Sequence, residues 1–228
     1  VFLKLKRWAK ACKMDPITNP YTPNAGATPP VIVGRDDQQR SFDLLLARLE
    51  QGRTEQSMII TGLRGVGKTV LLGAFRKKAV SQKWSTIEIE VSKHDNDDFR
   101  RQMAREFRSA LLGISPKARW SDRAKRAAAV IRSFTIAVDP DGRITAGLDA
   151  SPEEGVADSG DLVADLTELL VALGEAAADH KTGVVLLLDE IQFLRREQLE
   201  AIVASIHKTV QRQLPITMVG AGLPQIAE

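Results

Sequence analysis

The eight residues Gly62-Leu63-Arg64-Gly65-Val66-Gly67-Lys68-Thr69 constrain this chain more than any other segment. They fit the pattern G-x-x-x-x-G-K-[ST] at every fixed position, and the flanks suit it: residues 57–61 read as a buried strand and residues 70–75 as a helix. Glycines let such a loop curl until several backbone N–H groups point inward at phosphate oxygens. The N-terminus of the helix that follows adds its partial positive charge. Residues 62–70, from Gly62 to Val70, are therefore expected to cradle a nucleotide's phosphates. Lys68 reaches the β- and γ-phosphates, and the Thr69 hydroxyl holds Mg²⁺.

A second motif fits the first. Val184-Val185-Leu186-Leu187-Leu188-Asp189-Glu190 is an apolar run ending in two carboxylates. Apolar residues at every position demand cover on both faces, as in a central strand of a parallel α/β sheet. Asp189 then lies at the carboxyl end of that strand, where open α/β sheets bind ligands. There it can complete a Mg²⁺ shell opposite Thr69. Glu190 is the candidate general base that orients and polarises an attacking water.

The loop, the Asp-Glu pair and their spacing resemble the AAA+ and related signal-transduction (STAND-type) ATPases. That resemblance implies a three-layer P-loop NTPase with a parallel sheet, helices on both faces, and a catalytic Glu beside the Asp of the metal site. Val33-Gly34-Arg35-Asp36, followed by the amphipathic run Ser41-Phe42-Asp43-Leu44-Leu45-Leu46-Ala47-Arg48-Leu49, looks like the leading segment of the replication-initiator-like clade. In that clade this segment packs against adenine, which implies ATP and a base-contacting role for Val33, Gly34 and Arg35. Leu214-Pro215-Ile216-Thr217-Met218-Val219-Gly220-Ala221-Gly222-Leu223-Pro224 resembles the next core strand and its exit turn. The resemblance covers about residues 15–228 and is similar to ATPases of actinobacterial type. It also implies one more core strand and a small helical lid beyond Gly222, carrying an arginine that senses nucleotide, and a second arginine from a neighbouring subunit. Neither arginine can be assigned in this sequence. An arginine finger is worth about 10³- to 10⁵-fold in rate, so the expectation is ATP binding with slow hydrolysis.

Composition excludes several other classes. At 228 residues, 43% hydrophobic and 27% charged, the chain suits one globular core with an insertion. No apolar run reaches the roughly 18 residues a membrane span needs. One cysteine cannot form an internal disulfide, which fits a reducing cytoplasm. His94, His180 and His207 are dispersed, so any cation should arrive with the nucleotide.

Residues 1–13 set Lys4, Lys6, Arg7, Lys10 and Lys13 among Phe2, Leu3, Leu5 and Trp8. They read as a basic extension upstream of the domain and outside its function, or else as a helix for a membrane surface or partner. Residues 14–35 form a proline-rich segment leading into the core at 36–228.

Strands alternating with helices predict a parallel sheet between helical layers. The pattern gives helices at 36–50, 68–82, 96–112, 117–133, 160–179 and 196–213, and strands at 57–61, 86–92, 184–189 and 215–220. Ser159 is the expected N-cap of helix 160–179. About 90 residues separate strand 86–92 from strand 184–189, where a whole crossover needs only about a dozen. An insertion over about 95–159 is expected, helical first and then a β-hairpin: residues 134–138 and 143–147 around the turn Asp139-Pro140-Asp141-Gly142. Its charge is lopsided. Ten Lys or Arg fall between Arg100 and Arg132, while nine Asp or Glu and no Lys or Arg fall between Asp149 and Asp179. The basic helices form a nucleic-acid surface, or the two faces attract each other within the insertion; the modest net charge of +3 favours the second.

The functional expectation is an ATP-driven module, Mg-dependent and acting on a protein or DNA partner, with homo-oligomerisation in keeping with the family. The alternatives are a DNA-binding replication or transposition factor, or a nucleotide-gated scaffold without turnover.

Overall fold

The apolar run Val184–Asp189 needs cover on both faces, and it lies inside the sheet. The computed structural model describes residues 34–93, 95–115, 120–148 and 150–227, so the expectations for residues 1–33 fall outside the described residues. Four strands, β1 (Met58–Thr61), β2 (Ser85–Glu90), β3 (Val184–Asp189) and β4 (Ile216–Gly222), form one parallel sheet in the order β1-β4-β3-β2. The two central strands are buried almost throughout, whereas the edge strand β2 alternates, with Ile87 and Ile89 inward and Glu88 and Glu90 outward. That is the burial difference expected between central and edge strands of a sheet covered by helices.

Among the described residues six helices cover the sheet: α1 (Asp36–Glu50), α2 (Lys68–Ser81), α3 (Asn96–Ile114), α4 (Asp122–Thr135), α5 (Leu162–Asp179) and α6 (Arg196–Gln211). On one face α1 and α2 pack Phe42, Leu45, Leu46, Leu71 and Phe75 against Val185, Leu187, Val219 and Ala221. The rings of Phe42 and Phe75 stack with centroids 4.4 Å apart. On the other face α3 to α6 pack against Leu186, Leu188, Ile216 and Met218. The architecture is the expected three-layer α/β sandwich. No helix among the described residues is long and apolar enough to cross a membrane.

Three local expectations are corrected. The β-hairpin does not form: Phe134 and Thr135 end α4, and residues 136–147 run as turns. Phe134 is buried among helices, and the Thr135 hydroxyl donates back to the carbonyls of Ile131 and Arg132. The Pro-Asp-Gly turn is present, with Gly142 at φ +66° and its N–H on the Asp139 carbonyl. The Asp139 carboxylate then accepts from Ile144 N–H at 2.6 Å, and Arg108 Nε donates to the Ala146 carbonyl at 2.8 Å. Backbone groups that a hairpin would pair are taken by these side chains.

The N-cap of α5 is Asp161, which accepts from Val163 and Ala164, and not Ser159. Ser159 instead donates its hydroxyl to Asp165 at 2.7 Å. Finally, β4 continues through Gly222, where a turn was expected from Gly220. The Ile191 side chain packs closely on Gly220, its Cδ1 3.0 Å from where a Cβ would sit.

The opposite charges between β2 and β3 meet inside the fold. Arg100 donates to Asp165 at 2.6 Å, both side chains almost fully buried, and its guanidinium lies 4.9 Å from the Phe134 ring centroid. Arg126 approaches Glu153 and Glu175, Arg101 donates to the Val138 carbonyl, and Arg132 to that of Ala150. Much of the basic stripe thus ties α3, α4 and α5 together.

Candidate functional site

β1 ends at Thr61, and the glycine loop leaves the sheet there. Gly62 N–H donates to the Gly222 carbonyl at 3.2 Å, so the first loop residue is pinned to the end of β4. Gly65 and Gly67 take φ of +78° and +83°, a region that L side chains rarely adopt, and Gly67 caps α2 in that conformation. Gly62 answers to a close approach: a Cβ there would lie 2.9 Å from Val66 Cγ2. Leu63, Arg64 and Val66 are exposed on the loop's outer side, while Val70 lies in the first turn of α2.

Lys68 is 6% exposed, and its Nζ donates to the carbonyls of Gly62 and Leu63, each at 3.0 Å. The ammonium therefore spans the loop mouth, with no carboxylate among the described residues paired to it. A cation held by neutral carbonyls keeps its charge for an incoming anion, and exchanging those carbonyls for phosphate oxygens costs little structure.

Thr69 and Asp189, 120 residues apart, meet directly: the threonine hydroxyl donates to Asp189 Oδ2 at 2.6 Å. Asp189 Oδ1 accepts from Glu190 N–H at 2.9 Å. Glu190 itself sits in the left-handed region, φ 55° and ψ 40°, which opens the short 3-10 helix Ile191–Phe193. A non-glycine residue there stores about 1–3 kcal/mol of strain, a cost that clusters at functional sites. Thr69, Asp189 and Glu190 line a groove of about 740 Å³ with Arg76, Glu88 and Glu90, in which Arg76 Nε and Glu88 pair at 2.7 Å.

Of the leading segment, Gly34 and Arg35 are described and Val33 is not. Arg35 donates to the Val66 carbonyl at 3.0 Å, bracing the glycine loop from outside. Arg35 and the loop residues 62–70 thus belong to one end of the sheet, with Asp189 and Glu190. A more apolar groove of about 410 Å³ lies between β1 and α6, lined by Ile59, Val203, Ile206 and Met218. No lysine, arginine or glycine loop lines it among the described residues, and Glu55 on its wall would repel phosphate.

The oxygen pair of Thr69 and Asp189, a hydroxyl and a carboxylate, fits a hard divalent cation. No group of three or more His, Cys, Asp or Glu among the described residues is placed to hold a metal. A cation on Thr69 and Asp189 would take its remaining ligands from phosphate and water, which is how Mg²⁺ is commonly held.

The sequence did not single out Gln192, whose side chain touches Glu190. The available signal was a lone polar side chain among Ile191, Phe193 and Leu194 directly after the acidic pair.

A parallel sheet whose first strand delivers a glycine loop, and whose inner strand ends in carboxylates beside it, defines a P-loop nucleotide-binding α/β protein. The chain belongs to the AAA ATPase domain family, which it matches over residues 31–219. Among curated proteins none matches it.

Proposed function

We propose that this chain binds ATP with Mg²⁺ at the mouth of the glycine loop and hydrolyses it, using the ATP/ADP difference to move a protein or DNA partner. The observation that carries the proposal is the 2.6 Å contact between Thr69 and Asp189, which joins the two motifs into one site. Membership of the AAA ATPase domain family supports the same reading.

In this mechanism the N–H groups of residues 65–69 and Lys68 Nζ receive the phosphates, Lys68 leaving the carbonyls of Gly62 and Leu63 for the β- and γ-oxygens. Thr69 Oγ1 and Asp189 would hold the metal, which would supply positive charge to the phosphates during transfer. Glu190 accepts the proton of the attacking water, which adds to the γ-phosphorus in line with the departing ADP. Arg35 keeps the loop closed on its outer side through Val66. Loss of the γ-phosphate removes an anchor at the ends of β1 and β3, and the helices that follow those strands relax.

The test is ATP turnover by the purified chain beside Glu190→Gln. The variant should bind ATP as the parent does and lose turnover by about 10²-fold or more, the size of a general-base contribution. Equal turnover in the two proteins removes Glu190 as the base.

A further inference from the structure

Glu190 is the group to which the proposed reaction assigns the proton, and its side chain is not left to itself. Gln192 Nε2 donates to Glu190 Oε2, and Gln192 Oε1 accepts from the backbone N–H of Leu223 at 3.2 Å. The orientation of that amide is forced by its partners. A carboxylate only accepts and a backbone N–H only donates, so the NH₂ must face Glu190 and the oxygen must face Leu223. The 3-10 turn makes this possible by folding the side chain of residue 192 back over residue 190, with Phe193 N–H on the Glu190 carbonyl at 3.0 Å.

Leu223 is the residue directly after β4, and its neighbour Gly222 accepts from Gly62, the first residue of the glycine loop. A continuous hydrogen-bonded path therefore runs from the loop, through the end of β4 and the Gln192 amide, to the Glu190 carboxylate. Gly220, Ala221 and Gly222 offer no polar side chain at this exit, so Gln192 supplies the polar group that reaches it from the neighbouring strand.

We infer that Gln192 is a positioning residue for hydrolysis: it fixes the Glu190 carboxylate against the end of β4, leaving Oε1 to orient the attacking water. The inference rests on the proposed hydrolytic reading of the site. A base held by a third group is the general arrangement of an activated nucleophile or water. The backbone strain at Glu190 adds to the argument, because a side chain on a strained residue swings with any relaxation of that residue unless something else holds it. Gln192 is this second hold, beside the Asp189 contact to the Glu190 N–H.

Two measurements test it. The first compares single-turnover ATP hydrolysis and ATP affinity in the parent chain, Gln192→Ala, Gln192→Glu and Glu190→Gln. Gln192→Glu keeps the length and can still accept from Leu223, but it cannot donate to Glu190 and repels it. Both Gln192 variants should lose about 10- to 100-fold in rate, the scale of a small misplacement of a reacting group, with ATP affinity unchanged. Rates equal to the parent overturn the inference, and so does a fall in affinity that matches the fall in rate, which would mark a structural role only. The second needs no turnover: amide hydrogen exchange at Leu223 in the nucleotide-free chain. Glu190→Ala should free the glutamine and speed exchange at Leu223, and the same change made on Gln192→Ala should add nothing further. Independent effects of the two substitutions on Leu223 overturn the bridge. A parent chain that turns over no faster than Glu190→Gln would defeat the hydrolytic reading instead, and the exchange experiment would still decide the bridge.

Discussion

Lys68 shows how much one side chain's surroundings decide. Carbonyl oxygens of its own loop hold it in place, so it is ordered without being neutralised. Gly183 makes the same point about packing. A Cβ at this residue would lie 2.2 Å from the Trp84 ring, whose Nε1 is anchored on Glu50 at 2.9 Å. The indole cannot retreat without losing that bond. Gly183→Ala should therefore destabilise the chain by about 1–3 kcal/mol, the range for overpacking a core. Chemical denaturation followed by tryptophan fluorescence measures it, and an unchanged midpoint contradicts the contact.

At the scale of elements, the helices between β2 and β3 are joined by one buried ion pair. Asp165 of α5 accepts from Arg100 of α3, and also from the N–H groups of Ser159 and Gly160 and the Ser159 hydroxyl. Asp165→Asn leaves Arg100 buried without its countercharge, which should cost about 3–5 kcal/mol in a thermal or urea unfolding measurement. The start of α3 carries a pH dependence. Asp95 caps that helix, and the Asp98 N–H on its carboxylate holds it below the usual value of 3.8. A carboxyl with a lowered folded-state pKa stabilises above its unfolded pKa, and that stability is lost as pH falls through the folded pKa. Asp95→Ala should thus weaken α3 at neutral pH and flatten the chain's stability profile below about pH 3.8. An identical acid profile in the variant contradicts the cap. The same stretch shows where periodicity misleads: residues 134–138 alternate as a strand would, yet the burial of Phe134 and the carbonyl contacts of Thr135 keep them helical or turning. The Arg108 contact that helps decide that loop comes from 38 residues away, while the Asp139 contact lies within the loop itself.

For the molecule as a whole, the sheet was legible because its two inner strands are apolar at nearly every position, which only a doubly covered strand tolerates. The glycine loop and the Asp189-Glu190 pair were legible because phosphate chemistry fixes residue types at fixed spacings. Gln192 and the Arg35 brace were not, because each acts through a backbone group distant in sequence: Leu223 in one case, Val66 in the other. The central claim is that loop and acidic strand end form one ATP site, as membership of the AAA ATPase domain family supports. The most direct test is the equilibrium affinity for Mg²⁺-ATP of the parent chain beside Lys68→Ala, each also measured with the metal chelated. Binding by the parent should weaken without metal, and the variant should lose binding. ATP affinity left intact by Lys68→Ala would contradict this.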